Sequence, residues 1–274
     1  MVAGTRFCPA CVRDVPAFAP GPGGRPNARC PLCQALERHR FLAYLLSSMG
    51  PLVSSARALL DVAPQSQIRQ VLLDLLDEHR YVGVDLFPER DIDAQADMTR
   101  LPFRDAAFDV VICYHVFEHI PDDAAAMREV ARVMSPGALA LVQVPRKFGV
   151  RTHEDPSASP EERARRFGQA DHVRWYGDDF ETRLIAGGLK PYRIRPSDVL
   201  QPSQVERIGA SDLEPVWICR TTAHDEHFGR PPWPGDGPIE LPRSARMPGS
   251  GRAERVARRP LYRRVGGKVK RLVR

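Results

Sequence analysis

The chain has 274 residues, of which 43% are hydrophobic, and its formal net charge is +6. This length can hold one domain of about 200 residues with a proper core, together with smaller segments. The longest apolar runs fall far short of the roughly 18 residues that a membrane-spanning helix needs, and the first residues contain no apolar signal-peptide core. We therefore expect a cytoplasmic protein.

The positive charge is concentrated at the C-terminus. Twelve of the 40 Lys and Arg residues but only one acid follow Pro242, so this tail carries +11 and the rest of the chain carries −5. Because the last part of the chain is also rich in Pro and Gly, we predict no packed core over residues 223–274. A basic helix in this tail could lie on an anionic membrane or contact nucleic acid, and a solvated tail is the alternative. The apolar side of that helix would carry Leu261, Val265, Val269 and Leu272.

Two Cys-x-x-Cys pairs near the N-terminus have 18 residues between them. They consist of Cys8, Cys11, Cys30 and Cys33. Two tight turns of this kind can present four thiolates to one tetrahedral ion, and the Pro- and Gly-rich segment between them could not build a core alone. We predict a structural zinc knuckle over residues 1–36. The alternatives are a disulfide pair, which a reducing compartment disfavours, and reduced thiols that bind no metal.

Residues 34–49 carry the period of a helix that continues directly from the second cysteine pair. Its apolar side contains Leu36, Leu42, Leu45, Leu46 and Met49. Its polar side contains Glu37, Arg38, His39 and Arg40. We interpret the polar side as a solvated helix surface, and a cap over a ligand cleft is the alternative.

The central stretch of the chain, residues 58–122, alternates apolar runs with a helical pattern. The apolar runs are 58–62, 81–86 and 108–116, and a helical pattern occupies residues 68–76. This alternation predicts a parallel sheet covered on both faces, which is a doubly wound α/β fold, in a domain spanning residues 37–222. Ligands of such sheets bind beyond the carboxyl ends of the strands. The side chains expected there are Asp61, Asp85, Asp97 and His115.

The acidic residues at these strand ends suit a nucleoside ligand. Asp85 can accept both hydroxyls of a ribose, while Asp97 can accept the exocyclic amine of an adenine and Met98 can pack on its ring. The first turn, residues 61–66, lacks the Gly-x-Gly-x-x-Gly pattern that a pyrophosphate requires, so a dinucleotide is disfavoured. S-adenosylmethionine is a nucleoside ligand without phosphates. Taken singly, each acid could also be a loop or cap carboxylate.

The segment LPFRDAAFDVVICYHVFEHIPDD, followed by a helix and SPGALALVQVP, resembles the class I S-adenosylmethionine-dependent methyltransferases. The resemblance covers residues 30–195 and implies a Rossmann-like seven-stranded methyltransferase sheet. CPLC followed by ERHR, and FGQADHVRWYG after the fifth strand, look like a subfamily that bears a zinc ribbon. This sequence departs from the family's pattern at two places. Its first turn is poor in glycine, and Ala138 replaces the second glycine of the PGG turn.

The resemblance also implies a set of cofactor contacts. Four residues would border the methionine moiety: Asp61, Val62, Ala63 and Pro64. Asp85, with Leu86 beside it, would hold the ribose, and Asp97 with Met98 would hold the adenine. His115 would lie near the sulfonium.

Residues 145–179 form a long connection that we predict to be a lid facing the substrate, because loops of more than about 15 residues are usually functional or disordered. Methyl transfer is an in-line displacement in which alignment supplies much of the acceleration, and an oxygen or nitrogen acceptor can require a base. His172 and Asp171 are the candidate bases, and His115 is the third catalytic candidate. A polar brace formed by Asp171, His172 and Arg174 is the alternative.

The turn after the strand at residues 108–116 carries Glu118 and His119, which either fasten the turn or contact the ligand. From these features together we predict methyl transfer to an oxygen or nitrogen of a small molecule or glycan precursor. RNA held by the knuckle and the basic tail, and a non-catalytic S-adenosylmethionine-binding protein, are the alternatives.

Overall fold

A computed structural model describes residues 5–88 and 92–221 of the chain. Its strands are β1 (Arg6–Cys8), β2 (Arg13–Val15), β3 (Leu59–Val62), β4 (Tyr81–Asp85), β5 (Ala94–Gln95), β6 (Phe108–Tyr114), β7 (Met134–Gln143), β8 (His153–Glu154), β9 (Arg174–Trp175), β10 (Leu189–Ile194) and β11 (Val216–Thr221). Its α-helices are α1 (Glu37–Ser48), α2 (Gly50–Ser55), α3 (Ser66–Leu75), α4 (Asp123–Val133), α5 (Pro160–Phe167), α6 (Phe180–Ala186), α7 (Pro196–Val199) and α8 (Pro202–Ile208). The predicted segment 223–274, with its basic helix, lies outside the described residues.

Seven strands form the main sheet, in the order β5, β4, β3, β6, β7, β11, β10. The first five are parallel to one another, whereas β11 runs antiparallel to both β7 and β10. The predicted seven-stranded sheet is therefore confirmed. None of the helices in the described residues is long and apolar enough to cross a membrane.

Successive residues of the central strands supply two separate cores, because side chains alternate between the faces of a strand. Leu59 and Ile112 belong to the core that also contains residues of α1, α2 and α3. Leu60 and Val111 belong to the other core, with residues of α4 and α6. Strands that are apolar on both faces thus place helices on both sides of the sheet, as the sequence predicts for a doubly wound fold.

The N-terminal cysteine segment packs into the first of these two cores. Phe7, Val15 and Phe18 are buried there together with apolar residues of α1 and of the sheet. The helix predicted from residue 34 begins instead at Glu37, because Gln34 has a φ of 65° that no right-handed helix can include. Residues 5–36 are therefore joined to the sheet by a shared core.

The interpretation of the polar side of α1 as solvated is wrong. Arg40 is fully buried, and it donates hydrogen bonds to the carbonyl oxygens of Ala28 at 2.7 Å, Ala35 at 2.9 Å, Ile208 at 2.6 Å and Gly209 at 2.8 Å. These carbonyls belong to irregular segments, where a buried oxygen needs a donor from a side chain. Arg40 consequently ties the cysteine segment to α1 and to the end of α8.

His39 is also buried, and it caps the start of the same helix. Its Nδ1 accepts a hydrogen bond from the backbone N–H of Leu36 at 3.2 Å. Burial, together with the positive charge of Arg38, lowers the pKa of His39 to about 3, so its ring is neutral at ordinary pH. One of the four polar residues of α1, Arg38, does reach the ligand cavity described below.

Candidate functional site

A cavity of about 450 Å³ lies at the carboxyl ends of β3, β4 and β6. Its wall is formed by Arg38, Val62, Ala63, Gln65, Asp85, Leu86, Phe87, Ala96, Asp97, Met98, Tyr114, His115, Val116, Glu118, His119, Ile120, Gln169, Asp171 and His172. Strands β3 and β6 are neighbours in the sheet, although β4 and β5 come between them in the sequence. The cavity therefore occupies the topological switch point, where doubly wound sheets bind their ligands.

The structure brings most of the residues predicted for cofactor binding to this one cavity. Val62, Ala63, Asp85, Leu86, Asp97, Met98 and His115 all line it. Asp61 and Pro64 are not among the lining residues. Pro64 instead packs over Gly83, where an added Cβ would lie 3.0 Å from the Pro64 side chain.

Asp61 is a buried partner of Tyr81. Its carboxyl group accepts a hydrogen bond from the Tyr81 hydroxyl at 2.8 Å, and 2% of the residue is exposed. Burial raises the pKa of Asp61 to about 7, although the Tyr81 hydrogen bond and the charge of Arg69 act in the opposite direction. The acid at the end of β3 thus points into protein, because it occupies a strand position rather than the turn that follows.

The chain leaves β3 and β6 through two strained residues. Ala63 has a φ of 51° and His115 has a φ of 56°, in a region that residues other than glycine rarely occupy. Each is anchored by its backbone N–H, which donates to the carbonyl of Val84 at 2.7 Å for Ala63 and of Gln143 at 2.8 Å for His115. Such strain persists only where the surroundings impose it, and it is concentrated at functional sites.

Asp85 and Asp97 approach the cavity in different settings. Asp85 ends β4 and is 6% exposed, and its Oδ1 accepts the backbone N–H of Phe87 at 3.0 Å. Asp97 is exposed, and its Oδ1 caps the short 3₁₀ helix Met98–Arg100 by accepting the backbone N–H of Thr99 at 2.8 Å. The cap role that the sequence left open for these acids thus applies to Asp97, whose carboxyl group also lines the cavity.

The long connection 145–179 packs against the turn that follows β6. It contains β8, α5 and β9, and the backbone N–H of Val173 donates to the carbonyl oxygen of Glu118 at 2.9 Å. Arg174 is fully buried and donates to the carbonyl oxygens of Phe117 and Pro121, both at 2.8 Å, and to that of Ile120. Arg174 is therefore a brace, and it holds the connection against the cavity.

His115 and Glu118 form a pair in the wall of the cavity. Nδ1 of His115 lies 3.1 Å from Oε1 of Glu118, and Nε2 of His115 is buried without a hydrogen-bond partner in the described part of the chain. Burial alone would raise the pKa of Glu118, but the hydrogen bond and charge of His115 and the charge of His119 lower it below its ordinary value. Glu118 is therefore an anion inside the protein.

The connection 145–179 adds a second pair of residues to this wall. His172 is almost fully buried, and its Nδ1 donates to the carbonyl oxygen of Phe167 at 3.2 Å. Its ring meets that of His119 edge to face, with the centroids 4.7 Å apart, and Nδ1 of His119 lies 3.2 Å from Oδ2 of Asp171. Burial lowers the pKa of His172, so this ring is neutral near pH 7.

All three side chains predicted for catalysis, those of His115, Asp171 and His172, line the cavity. The sequence left open whether Glu118 and His119 fasten the turn or contact the ligand, and both also line the cavity. The signal that could have found them is the His-x-x-Glu-His spacing of residues 115–119. A tight turn at the end of a strand brings the two ends of that motif together.

The four N-terminal cysteines lie around one point. Their Sγ atoms are all within 4.8 Å of one another, with 3.6 Å between Cys8 and Cys33 and 3.9 Å between Cys11 and Cys30. A disulfide would bring two sulfurs to about 2.05 Å, so these are separate thiols. Tetrahedral bonds of about 2.3 Å to a central ion place sulfurs about 3.8 Å apart, close to the observed spacing.

Parts of this chain are similar in sequence to known methyltransferases. Residues 60–142 match the family described as "Methyltransferase domain", and this segment runs from β3 to β7. A protein of Mycobacterium tuberculosis named "Probable S-adenosylmethionine-dependent methyltransferase" is 33% identical over 93 residues, or 34% of each chain. The "27-O-demethylrifamycin SV methyltransferase" of Amycolatopsis mediterranei is 33% identical over 107 residues, which cover 38% of this chain and 37% of that protein. The chain thus matches about a third of the length of these curated relatives.

Among solved structures, the 1,6-didemethyltoxoflavin-N1-methyltransferase of Burkholderia thailandensis is 18% identical, with a TM-score of 0.45. The alignment covers 67% of this chain and 77% of that one. That protein was solved with 1,6-didemethyltoxoflavin and S-adenosylhomocysteine bound.

Proposed function

We propose that this chain, whose residues 60–142 match the methyltransferase family, is a class I S-adenosylmethionine-dependent methyltransferase that methylates an oxygen or nitrogen atom of a small acceptor. The observation that carries the proposal is the convergence of Asp85, Asp97 and Met98 on one cavity at the switch point of the sheet. A cavity of about 450 Å³ falls within the usual range for a small-molecule site.

The chemistry of the lining residues fits the cofactor. Asp85 would hold the ribose hydroxyls, with Leu86 beside it, and Asp97 would hold the adenine amine while Met98 packs against the ring. Val62 and Ala63 would border the methionine moiety. When bound, S-adenosylmethionine supplies an electrophilic methyl group on a sulfonium.

The side chains for the acceptor come from the turn after β6 and from the connection 145–179, and we call this part of the cavity the acceptor wall. His115, Asp171 and His172 are the residues that we assign to orienting the acceptor and handling the proton it loses. Arg174 holds the connection 145–179 in place through backbone carbonyls, so these side chains keep fixed positions. Alignment of acceptor and methyl group is the main service that a protein can offer to an in-line displacement.

Several features favour a small acceptor, such as a metabolite or a glycan precursor. The chain before the basic tail carries a net charge of −5, which repels a polyanion such as RNA. The acceptor wall also presents the polar side chains of Gln169, Asp171 and His172, which suit a ligand rich in hydroxyl groups.

For the N-terminal cluster we propose a structural zinc ion held by Cys8, Cys11, Cys30 and Cys33. Four thiolates at tetrahedral spacing are a common zinc ligand set. The charges of Cys8, Cys30 and Cys33 act to raise the pKa of Arg40, which means that they attract its positive charge. This buried cation therefore offsets part of the negative charge of four thiolates. The ion would add its binding free energy to the folding of a segment whose only strands among the described residues are β1 and β2, each of three residues.

The test is to incubate the full chain with methyl-labelled S-adenosylmethionine and cell extract separated by molecular size. The proposal predicts label in a low-mass fraction, and no label with the Asp85→Asn variant. Label confined to an RNA fraction would contradict the choice of a small acceptor. Absence of label in every fraction, for a chain that still binds S-adenosylhomocysteine, would show a non-catalytic cofactor-binding protein.

A further inference from the structure

Three side chains in the acceptor wall are arranged like metal ligands. One ligand atom from each of Glu118, His119 and His172 lies within 4.8 Å of the other two. Glu118 and His119 lie in the 3₁₀ helix that follows β6, whereas His172 belongs to the connection 145–179. The hydrogen bond from Val173 N–H to the Glu118 carbonyl, 2.9 Å long, fixes the two segments side by side.

Both histidines are held in the way that metal-binding histidines are held. Nδ1 of His172 donates to the Phe167 carbonyl at 3.2 Å, and Nδ1 of His119 lies 3.2 Å from the Asp171 carboxylate. In each ring these contacts occupy Nδ1, so Nε2 is the nitrogen that could bind an ion. A carbonyl or carboxylate on the far nitrogen is the usual second partner of an imidazole that binds a metal.

Glu118 supplies an observation that points independently to a ligand. The residue is fully buried and lines the cavity, and its Oε2 has no hydrogen-bond partner in the described part of the chain. Its other oxygen lies 3.1 Å from His115, and no Lys or Arg of that part forms an ion pair with it. An anionic oxygen buried without a partner is costly, unless a cation binds it.

We propose that Glu118, His119 and His172 form a second metal site, for a divalent first-row transition ion, in the acceptor wall of the cavity. Two imidazoles and one carboxylate suit Mn²⁺, Fe²⁺, Co²⁺ or Zn²⁺ and leave further coordination positions open. Open positions distinguish a site that receives a substrate from the closed four-cysteine site.

The consequence for catalysis rests on the proposed methyltransferase activity. An ion at this position lowers the pKa of a hydroxyl that it binds, which favours an alcohol or phenol over an amine as the acceptor. Because His172 would then be a ligand of the ion, the proton of the hydroxyl passes to His115, whose Nε2 has no partner in the described part of the chain, and the electron pair of the oxygen forms the new O–CH₃ bond. The S–CH₃ bond breaks, and the sulfur keeps that electron pair as the neutral thioether of S-adenosylhomocysteine.

The first experiment titrates Mn²⁺ into the full-length chain after one equivalent of zinc has been added, which the four thiolates bind in preference to the carboxylate and imidazole ligands. Mn²⁺ is the probe because carboxylate and imidazole ligands accept it, whereas thiolates prefer zinc. We expect one Mn²⁺ to bind per chain. Binding is measured by calorimetry or by the decrease in the spin-resonance signal of the free ion. Glu118→Gln and His172→Gln should each weaken binding by at least about 10-fold. His79→Gln is the matched control, because His79 is exposed and lies outside the cluster, and it should bind Mn²⁺ like the unmodified chain.

The same variants separate this site from the cofactor site. His172→Gln should keep its affinity for S-adenosylhomocysteine and its one zinc per chain, which also shows that it folds. Asp85→Asn should lose affinity for S-adenosylhomocysteine and keep Mn²⁺. In the labelling assay, removing Mn²⁺ should lower incorporation at least about 10-fold, and its return should restore it.

Two results would overturn the proposal. One is the absence of Mn²⁺ binding to the unmodified chain, which would leave the two histidines as an edge-to-face brace. The other is Mn²⁺ binding that Glu118→Gln and His172→Gln leave unchanged. Mn²⁺ binding by a chain that fails to bind S-adenosylhomocysteine would support this site while contradicting the methyltransferase activity.

Discussion

The described part of the chain contains two clusters of side chains that could hold a metal ion, and they differ in how their residues come together. The four cysteines lie within residues 8–33, and their spacing along the chain is enough to predict them. Glu118, His119 and His172 instead bring together two segments more than 50 residues apart, through the docking of 145–179 on the turn after β6. Short-range spacing can be seen in a sequence, whereas a site built by docking depends on contacts that only the folded chain makes.

Each cluster is supported by one fully buried arginine. Arg40 donates to five backbone carbonyls of the cysteine segment and the end of α8, and Arg174 donates to three carbonyls of the turn that carries Glu118 and His119. A guanidinium group has five N–H donors in a fixed plane, so it can satisfy several carbonyls of an irregular segment at once. The same device therefore stabilises both clusters.

The two clusters should differ most in their effect on stability. We expect removal of the ion from the cysteine cluster, by a chelator or by Cys30→Ser, to lower the free energy of unfolding by at least about 3 kcal/mol, because this segment relies on the ion for its folding. Urea denaturation with and without chelator measures this, and added zinc should restore the loss. His172→Gln should lower stability far less. Equal losses from the two clusters would contradict the assignment of a structural ion to the cysteines alone.

The two arginines offer the next largest effect. Arg40→Ala and Arg174→Ala should each lower the free energy of unfolding by about 2 to 4 kcal/mol, since each leaves several buried carbonyls without a donor. The losses should be similar, while the functional effects differ. Arg174→Ala should weaken Mn²⁺ binding, and Arg40→Ala should leave it unchanged when zinc is present. Loss of Mn²⁺ binding in both variants would argue against separate supports for the two clusters.

The acid beneath the cavity gives a smaller effect with a defined pH dependence. Because burial raises the pKa of Asp61 from 3.8 to about 7, its contribution to stability is fully present below about pH 4 and is lost as the pH rises through 7. Between pH 5 and pH 8 the unmodified chain should therefore lose about 2 to 3 kcal/mol more than Asp61→Asn, which keeps an acceptor for the Tyr81 hydroxyl. Comparing urea denaturation of the two proteins at both pH values cancels the other titrating groups. Identical pH profiles would contradict a protonated Asp61.

The fold could be predicted further from the sequence than the site could. Apolar runs located the central strands, because a strand buried on both faces needs little tertiary information to be recognised. Asp122, an acid directly before the helix, caps α4 with its carboxylate, which accepts the backbone N–H of Ala125 at 2.9 Å. Such signals are local, and local signals are visible in the sequence.

The predictions that departed from the structure concern side-chain direction. Arg40 lies on the polar side of an amphipathic helix, yet the cysteine segment and α8 cover it, and no helical period reveals such a cover. Asp61 ends an apolar strand like Asp85 does, but it turns to Tyr81 instead of the cavity. For Glu118 and His119 the sequence could not decide between fastening the turn and contacting a ligand, because the docked connection that places His172 beside them is not a local feature.

The binding of S-adenosylhomocysteine tests the central claim most directly, because it asks whether the cavity at the strand ends is the cofactor site. Isothermal titration of the full chain should show one molecule bound. Asp85→Asn should weaken the binding by about 1 to 3 kcal/mol, the cost of lost hydrogen bonds to the ribose. No binding to the unmodified chain, or the same affinity in both proteins, would contradict the account.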